Sequence, residues 1–261
     1  MIACNPYYGE NECELKLMTW NVHCSRGADS TRQRKIAELI LTESADFVQL
    51  NEYNQDSCKV IDSLLKTKYP YTEEYQSHIL CGDIFYSKRV MSNSGHVYIP
   101  IRGKAIQTIK ATLAIEDDSV QIFGVHMASN RYDDNTEEDE NDSDIKEKNV
   151  FERYKDGQVA RCFQAEWTKI EIMKSKHPVI VMGDMNDFNQ SKPLDILTSC
   201  GLRDSWWEGG NGYGHTFHKG WMRLRIDFIL HSEKLNLQNI KVITTNLSDH
   251  NPIVAGFSVN N

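Results

Sequence analysis

Four apolar runs in this chain stop on residues able to ligate a cation or move a proton. They are Trp20-Asn21-Val22-His23, Leu50-Asn51-Glu52, Val125-His126-Met127 and Met182-Gly183-Asp184-Met185-Asn186. A fifth segment, Arg225-Ile226-Asp227-Phe228-Ile229, sets a carboxylate inside an apolar strand pattern, which is costly unless that carboxylate is paired. Alternation puts Arg225 and Asp227 on one face and Ile226 and Phe228 on the other. A sixth, Ser248-Asp249-His250-Asn251-Pro252, places a carboxylate beside an imidazole, a pair suited to metal ligation or proton transfer, with Asp227 a candidate to orient His250. Taken singly, a polar residue just past a strand reads as a turn residue bonding its own backbone. Their recurrence at successive strand ends points to one site, because open α/β sheets gather ligands where strand ends converge.

The 261 residues suit one large domain or two small ones, and 40% hydrophobic with 25% charged residues excludes a disordered, collagen-like or coiled-coil chain. Apolar runs such as Val179–Met182 fall far short of the about 20 residues that span a bilayer, so no transmembrane segment is expected. The net charge is −8, and most of it lies between Asp133 and Lys148, where nine carboxylates face two lysines. An acidic balance argues against holding nucleic acid by counter-ion release alone. It leaves room for a phosphate substrate if a metal supplies the positive charge. Seven scattered cysteines with no C-x-x-C pair read as reduced thiols rather than a disulfide framework or zinc site, and they favour a cytoplasmic location. Ile2-Ala3-Cys4 resembles the end of a bacterial lipoprotein cleavage box, which would imply export only with a trimmed N-terminus.

The elements that must position these residues follow from periodicity. Strands are expected at 15–22, 47–50, 108–115, 120–127, 179–182, 223–230, 241–246 and 253–259. Helices are expected at 31–44, 56–68 and 193–200, the last closed by Gly201. Val159, Phe163, Trp167, Ile170 and Met173 mark a long helix on which Arg161 is a solvated or salt-bridged residue. The acidic stretch 131–149 is an inserted, solvated loop, and residues 1–14 are an N-terminal extension. Helices and strands alternate, with antiparallel-looking strands in the middle, so a layered α/β sandwich in one domain is the expectation. Nothing fixes an oligomeric state, and a monomer is the default.

Thr19-Trp20-Asn21, Gln49-Leu50-Asn51-Glu52, Gly124-Val125-His126, Gly183-Asp184-Met185-Asn186-Asp187, Arg225-Ile226-Asp227-Phe228-Ile229 and Ser248-Asp249-His250 occur in that order. Together they resemble the ordered motifs of the endonuclease/exonuclease/phosphatase superfamily over nearly the whole chain. The resemblance implies a four-layered α/β sandwich, the DNase-like fold of two packed mixed β-sheets flanked by helices. It implies hydrolysis of phosphate esters by water attack with Mg²⁺, Mn²⁺ being an alternative. It further implies that Glu52, Asn21 and Asp249 hold the metal. Asp184 and Asn186 would position water and a phosphate oxygen, or Asp184 would hold a second ion. His250, oriented by Asp227, would be a general base or a phosphoryl donor, and His126 would bond the phosphate or assist the leaving group. Asp83 is either the acidic partner of His126 or a surface residue. His23 is a candidate pocket wall, and Ser129 and Asn130 are loop residues.

The glycine-rich stretch Gly209–Trp221, with Trp206 and Trp207 before it, offers aromatic rings that either stack on a base or pack under a loop. Residues 201–232 resemble the nuclease branch more than the inositol phosphatase branch. A phosphodiesterase or nuclease is therefore the leading expectation, with short or single-stranded nucleic acid or a small phosphodiester as substrate. A phosphomonoesterase and an inactive metal- or partner-binding module are the alternatives.

Overall fold

In the computed structural model, strand β1 (Leu15–Asn21) is buried on both faces, and its alternation assigns the layers. Leu15 and Leu17 point into one apolar cluster and Met18 and Trp20 into another. The described residues are 13–23, 29–75, 81–101, 104–115, 118–130 and 150–259. The acidic loop at 131–149, Cys4 and nearly all of the N-terminal extension therefore lie outside them.

After β1 come α1 (Ser30–Glu43), β2 (Phe47–Tyr53), α2 (Lys59–Leu65), β3 (Tyr71–Tyr75), β4 (Gly82–Ser87), β5 (Met91–Ile101), β6 (Lys104–Ile115) and β7 (Asp118–His126). The second half holds α3 (Val150–Ile172), β8 (Val179–Asp184), α4 (Lys192–Thr198), β9 (Leu202–Asp204) and α5 (Ser205–Gly209). It closes with β10 (Phe217–Lys219), β11 (Met222–Leu224), β12 (Asp227–Ser232), β13 (Leu235–Val242) and β14 (Ile253–Val259). One six-stranded sheet runs β13-β14-β1-β2-β4-β3 and the other β5-β6-β7-β8-β12-β9. Leu15, Leu17, Phe47 and Phe85 of the first meet Ile109, Ile122, Ile180 and Met182 of the second in a shared core. Met18 and Trp20 pack on Ile36 and Ile40 of α1, and Phe123 and Val181 on Ala165 of α3 and Leu197 of α4. The layers are thus helix, sheet, sheet, helix, the four-layered sandwich the motifs implied.

Several elements depart from the sequence reading for identifiable reasons. The second helix starts only at Lys59, because the Asn54 side chain and carbonyl accept from the Ser57 amide and hold residues 54–58 in a turn. The strand expected at 223–230 is broken: β11 pairs with β10, β12 pairs with β8, and the chain changes partners at Arg225-Ile226. Arg225 therefore leaves the face of Asp227 and makes two bonds to the Asp204 carboxylate, at 3.1 and 2.7 Å. The strand expected at 241–246 is β13, which ends at Val242 because the Asn251 side chain takes the Thr245 amide. Cys81 is disulfide-bonded, contrary to the expected reduced thiols, while Cys13, Cys58, Cys162 and Cys200 are free.

Helix α3 buries a largely polar face. Of the stripe that announced it, Val159, Phe163, Ile170 and Met173 are exposed, Met173 by 72%, while Trp167 is partly buried against the core. The buried face carries Ala160, Arg161, Gln164, Ala165 and Thr168 instead. Periodicity located the helix but does not say which face is buried, since polar side chains are buried wherever partners satisfy them.

The two sheets approach closely at two glycines facing Gln49. A Cβ on Gly183 would stand 2.0 Å from the Val125 carbonyl oxygen and 2.9 Å from Gln49 Nε2, and its φ is +131°. Gly183→Ala is expected to cost about 3 kcal/mol through backbone strain and overpacking, read as a shift of the urea midpoint at constant slope. An unshifted midpoint would mean that the strands can separate freely here.

Candidate active site

Sheet register brings the polar strand ends together. On the first sheet, Asn21 pairs with Asn51 and Asn51 with Asp83. On the second, His126 pairs with Asp184 and Asp184 with Asp227. Two rows of three polar residues thus face each other across the sandwich at one edge. Asn21 Nδ2 donates to Glu52 Oε1 at 3.1 Å and to Asp184 Oδ2 at 3.0 Å, joining two carboxylates through one amide. Asn51 donates to Asp83 (2.7 Å) and the Val125 carbonyl (3.1 Å), and its Oδ1 accepts from the Asp184 amide (3.1 Å).

His126 lies between two carboxylates, Nδ1 at 3.7 Å from Asp83 and Nε2 at 4.0 Å from Asp184. Asp83 is buried, so it is the acidic partner and not a surface residue. Burial opposes charge on His126, but Asp83 and Asp184 outweigh it and raise its pKa. Burial raises Asp83 in spite of His126 and Asn51. His250 is fixed at three points. Its Nδ1 meets Asp227 Oδ2 at 2.8 Å, its carbonyl accepts from Trp20 Nε1 at 2.9 Å, and its ring lies edge-on to Phe217 with centroids 5.0 Å apart. Nε2 is left facing Asp184 at 3.7 Å. Burial alone would pull His250 down, but Asp227 and Asp184 push it up to about 10. Burial and the neighbouring Asp227 raise Asp184 in turn.

Asp249 does not join the other carboxylates directly. Its Oδ1 lies 2.7 Å from His23 Nδ1, and that bond and charge hold its pKa below the usual carboxylate range against the effect of burial. His23 is thus a wall of the site. Asn186 donates its side-chain amide to the Met127 carbonyl at 2.9 Å, so the loops after β7 and β8 are joined. His23, Glu52 and Asn186 have φ of 50°, 51° and 49°, a left-handed backbone that costs about 1–2 kcal/mol at a non-glycine residue. Three such residues around one cleft mark a place where geometry outranks local comfort.

The donor set fits a hard dication. Glu52, Asp83, Asp184, Asp227 and Asp249 outnumber the three nearby imidazoles of His23, His126 and His250, and Asp227 Oδ1 is buried with no hydrogen-bond partner among the described residues. Oxygen ligands in excess of positive charge are what such an ion requires. Asp184, Asp227 and His250 offer ligand atoms within 4.8 Å of one another. His250 Nδ1 already meets Asp227 Oδ2, so Nε2 is the ring atom left to face that cluster. Asn21 turns its amide nitrogen toward the carboxylates while Oδ1 accepts from the His23 amide, so it ligates only after a rotation of its amide.

Sequence reasoning passed over Asn51, Gln164, Asp187 and Thr216. Asn51 and Asp187 stood inside quoted motifs without a role. Thr216 Oγ1 accepts from the amides of Ile226 (3.1 Å) and Asp227 (3.0 Å) and so aims Asp227, a non-local contact with no sequence signal. Trp206 packs against Gly210 and Gly214, whereas Trp207, Tyr213 and Trp221 are exposed.

Known structures share the architecture. Truncated TDP2 from Caenorhabditis elegans aligns with a TM-score of 0.71 at 18% identity, over 93% of this chain and 97% of that one. D. rerio TDP2 complexed with single strand DNA product gives 0.72 at 17%, over 94% and 99%. The 3′ phosphatase NExo from Neisseria, bound to a product DNA hairpin, gives 0.69 at 18%, over 94% and 99%. No curated protein matches the sequence. The family described as Endonuclease/Exonuclease/phosphatase matches residues 18–250, every segment of the site included, and the chain belongs to that family.

Proposed function

We propose that this protein is a metal-dependent phosphodiesterase that cleaves short or single-stranded nucleic acid. The reading rests on one observation: His126, Asp184, Asp227 and His250 from the second sheet and the C-terminal loop meet Glu52 through the Asn21 amide. Glu52, with Asn21 and Asp249, would hold Mg²⁺ or Mn²⁺, which when bound neutralises charge developing on the phosphate oxygens. Asp227 occupies His250 Nδ1, so Nε2 is the atom that meets the phosphate or its attacking water. Asp184 and Asn186 orient that water and a non-bridging oxygen, and His126, backed by Asp83, serves the leaving group. The DNA-bound states of D. rerio TDP2 and Neisseria NExo support a nucleic-acid substrate in this fold. The exposed rings of Tyr213 and Trp221 suit stacking on unpaired bases.

The deciding experiment is hydrolysis of a bis-aryl phosphate, a mono-aryl phosphate, single- and double-stranded DNA, and RNA, each with Mg²⁺, Mn²⁺ or chelator. Cleavage of the diester and single strands, abolished by chelator, is the expected result. Cleavage of the monoester alone would replace the reading with a phosphatase, and silence throughout with normal metal binding would leave a binding module. Glu52→Ala is expected to weaken Mg²⁺ binding at least tenfold by calorimetry; native affinity would remove Glu52 from the metal.

A further inference from the structure

We propose that Arg161 is a positioning residue for this site. Its guanidinium ties the loop after His126 to the loop that carries Asn186, and so sets their separation. The proposal rests on the phosphodiesterase reading for its consequence and on geometry for its substance. Sheet hydrogen bonds fix His126 and Asp184 as parallel neighbours, and just past the strand ends the Met127 amide still reaches the Asp184 carbonyl and Asn186 Nδ2 the Met127 carbonyl, each at 2.9 Å. Beyond these bonds α3 takes over with its buried polar face. Gln164 Oε1 accepts from the Ala128 amide at 2.7 Å. Arg161 Nη1 donates to the Ala128 carbonyl and to Asn130 Oδ1, both at 2.9 Å, while Nε donates to Asp187 Oδ2 at 2.8 Å. Asp187 also accepts from Gln158 Nε2 at 2.9 Å and from the Phe188 amide at 2.9 Å, so its own position is fixed.

Arg161 is fully buried, an expensive placement for a cation that only rigid, multiple partners justify. The planar fork holds both loops at one spacing, which a point-like ammonium cannot reproduce. Gly157 gives the second sign. It sits inside a 23-residue helix, a poor place for glycine, yet a Cβ there would stand 2.6 Å from Arg161 Nη1 and 2.9 Å from Asn130 Oδ1. The helix gives up a better residue to let the clamp close.

The test uses the full chain with Arg161→Lys and with Asn130→Ala, the latter at an exposed residue whose replacement is expected to spare the fold. Measured are kcat and KM on a bis-aryl phosphate with Mg²⁺, and amide exchange at Ala128 and Asn186. Expected for Arg161→Lys is a fall in kcat of about 30–100-fold per folded molecule, with KM within about threefold, the signature of misplaced reacting groups. Asn130→Ala is expected to give about a fivefold fall. Both amides exchange faster together. A merely structural arginine would lower the folded fraction and leave kcat per folded molecule native, which overturns the proposal. If Arg161→Lys does not fold, native kcat and exchange in Asn130→Ala overturn it equally. If the native chain hydrolyses no ester, the phosphodiesterase reading fails, and the exchange data alone decide whether Arg161 couples the loops.

Discussion

His250→Ala is expected to lower diester turnover by about 10³-fold while Mg²⁺ affinity stays within a few-fold of native. The imidazole is held by Asp227, by the Phe217 ring and, through its backbone, by Trp20 and Ser248, so its orientation is set before substrate arrives. Removing it deletes the proton-exchanging atom without touching Glu52. Asp227→Asn retains the imidazole but replaces its charged partner, and should fall between the two, by about 10²-fold. Steady-state kinetics across a Mg²⁺ titration separate the effects. If the His250→Ala protein turned over normally, or lost its metal in proportion to its rate, the assignment of His250 to the phosphate would be wrong.

Asp187→Ala is expected to destabilise the fold by about 3–5 kcal/mol, the range for breaking a buried ion pair from one side. Arg161 and Asp187 are both fully buried and meet at 2.8 Å, so the truncated protein keeps an uncompensated guanidinium in the interior. Gln158 and the Phe188 amide lose their acceptor at the same time. Asp187→Asn preserves the acceptor geometry without the charge and should cost less than half as much. Guanidinium chloride unfolding of the three proteins gives the comparison. A loss below about 1 kcal/mol in Asp187→Ala would mean that water reaches Arg161 and the pair is effectively a surface one.

The contrast between these two residues shows how legible the chain was. His250 sits in Ser248-Asp249-His250, a carboxylate beside an imidazole ahead of an apolar run, and its role is readable from residue types alone. Asp187 stood in the same motif as Asp184 and Asn186, yet nothing in the string says that its partner lies 26 positions earlier on the buried face of a helix. The long helix made the point more sharply. Four of the five residues that signalled it face outward, because the inner face had loops to hold. The strand at 223–230 failed similarly: Thr216 takes the Ile226 and Asp227 amides, and no local pattern reveals that competition.

From the chain alone came the strand that carries His126, an α/β layering and the motif set, whose resemblance to the family implied two packed sheets flanked by helices. These depend on alternation and residue type, which are local. Which residue touches which was decided in three dimensions. Asn21 linking Glu52 to Asp184, Asp83 standing behind His126, His23 taking Asp249 and Arg161 joining two loops are all contacts between segments distant in sequence. A buried polar group is tolerated only with a partner, and the packing of the two sheets and α3, not the neighbouring residues, determines where that partner lies.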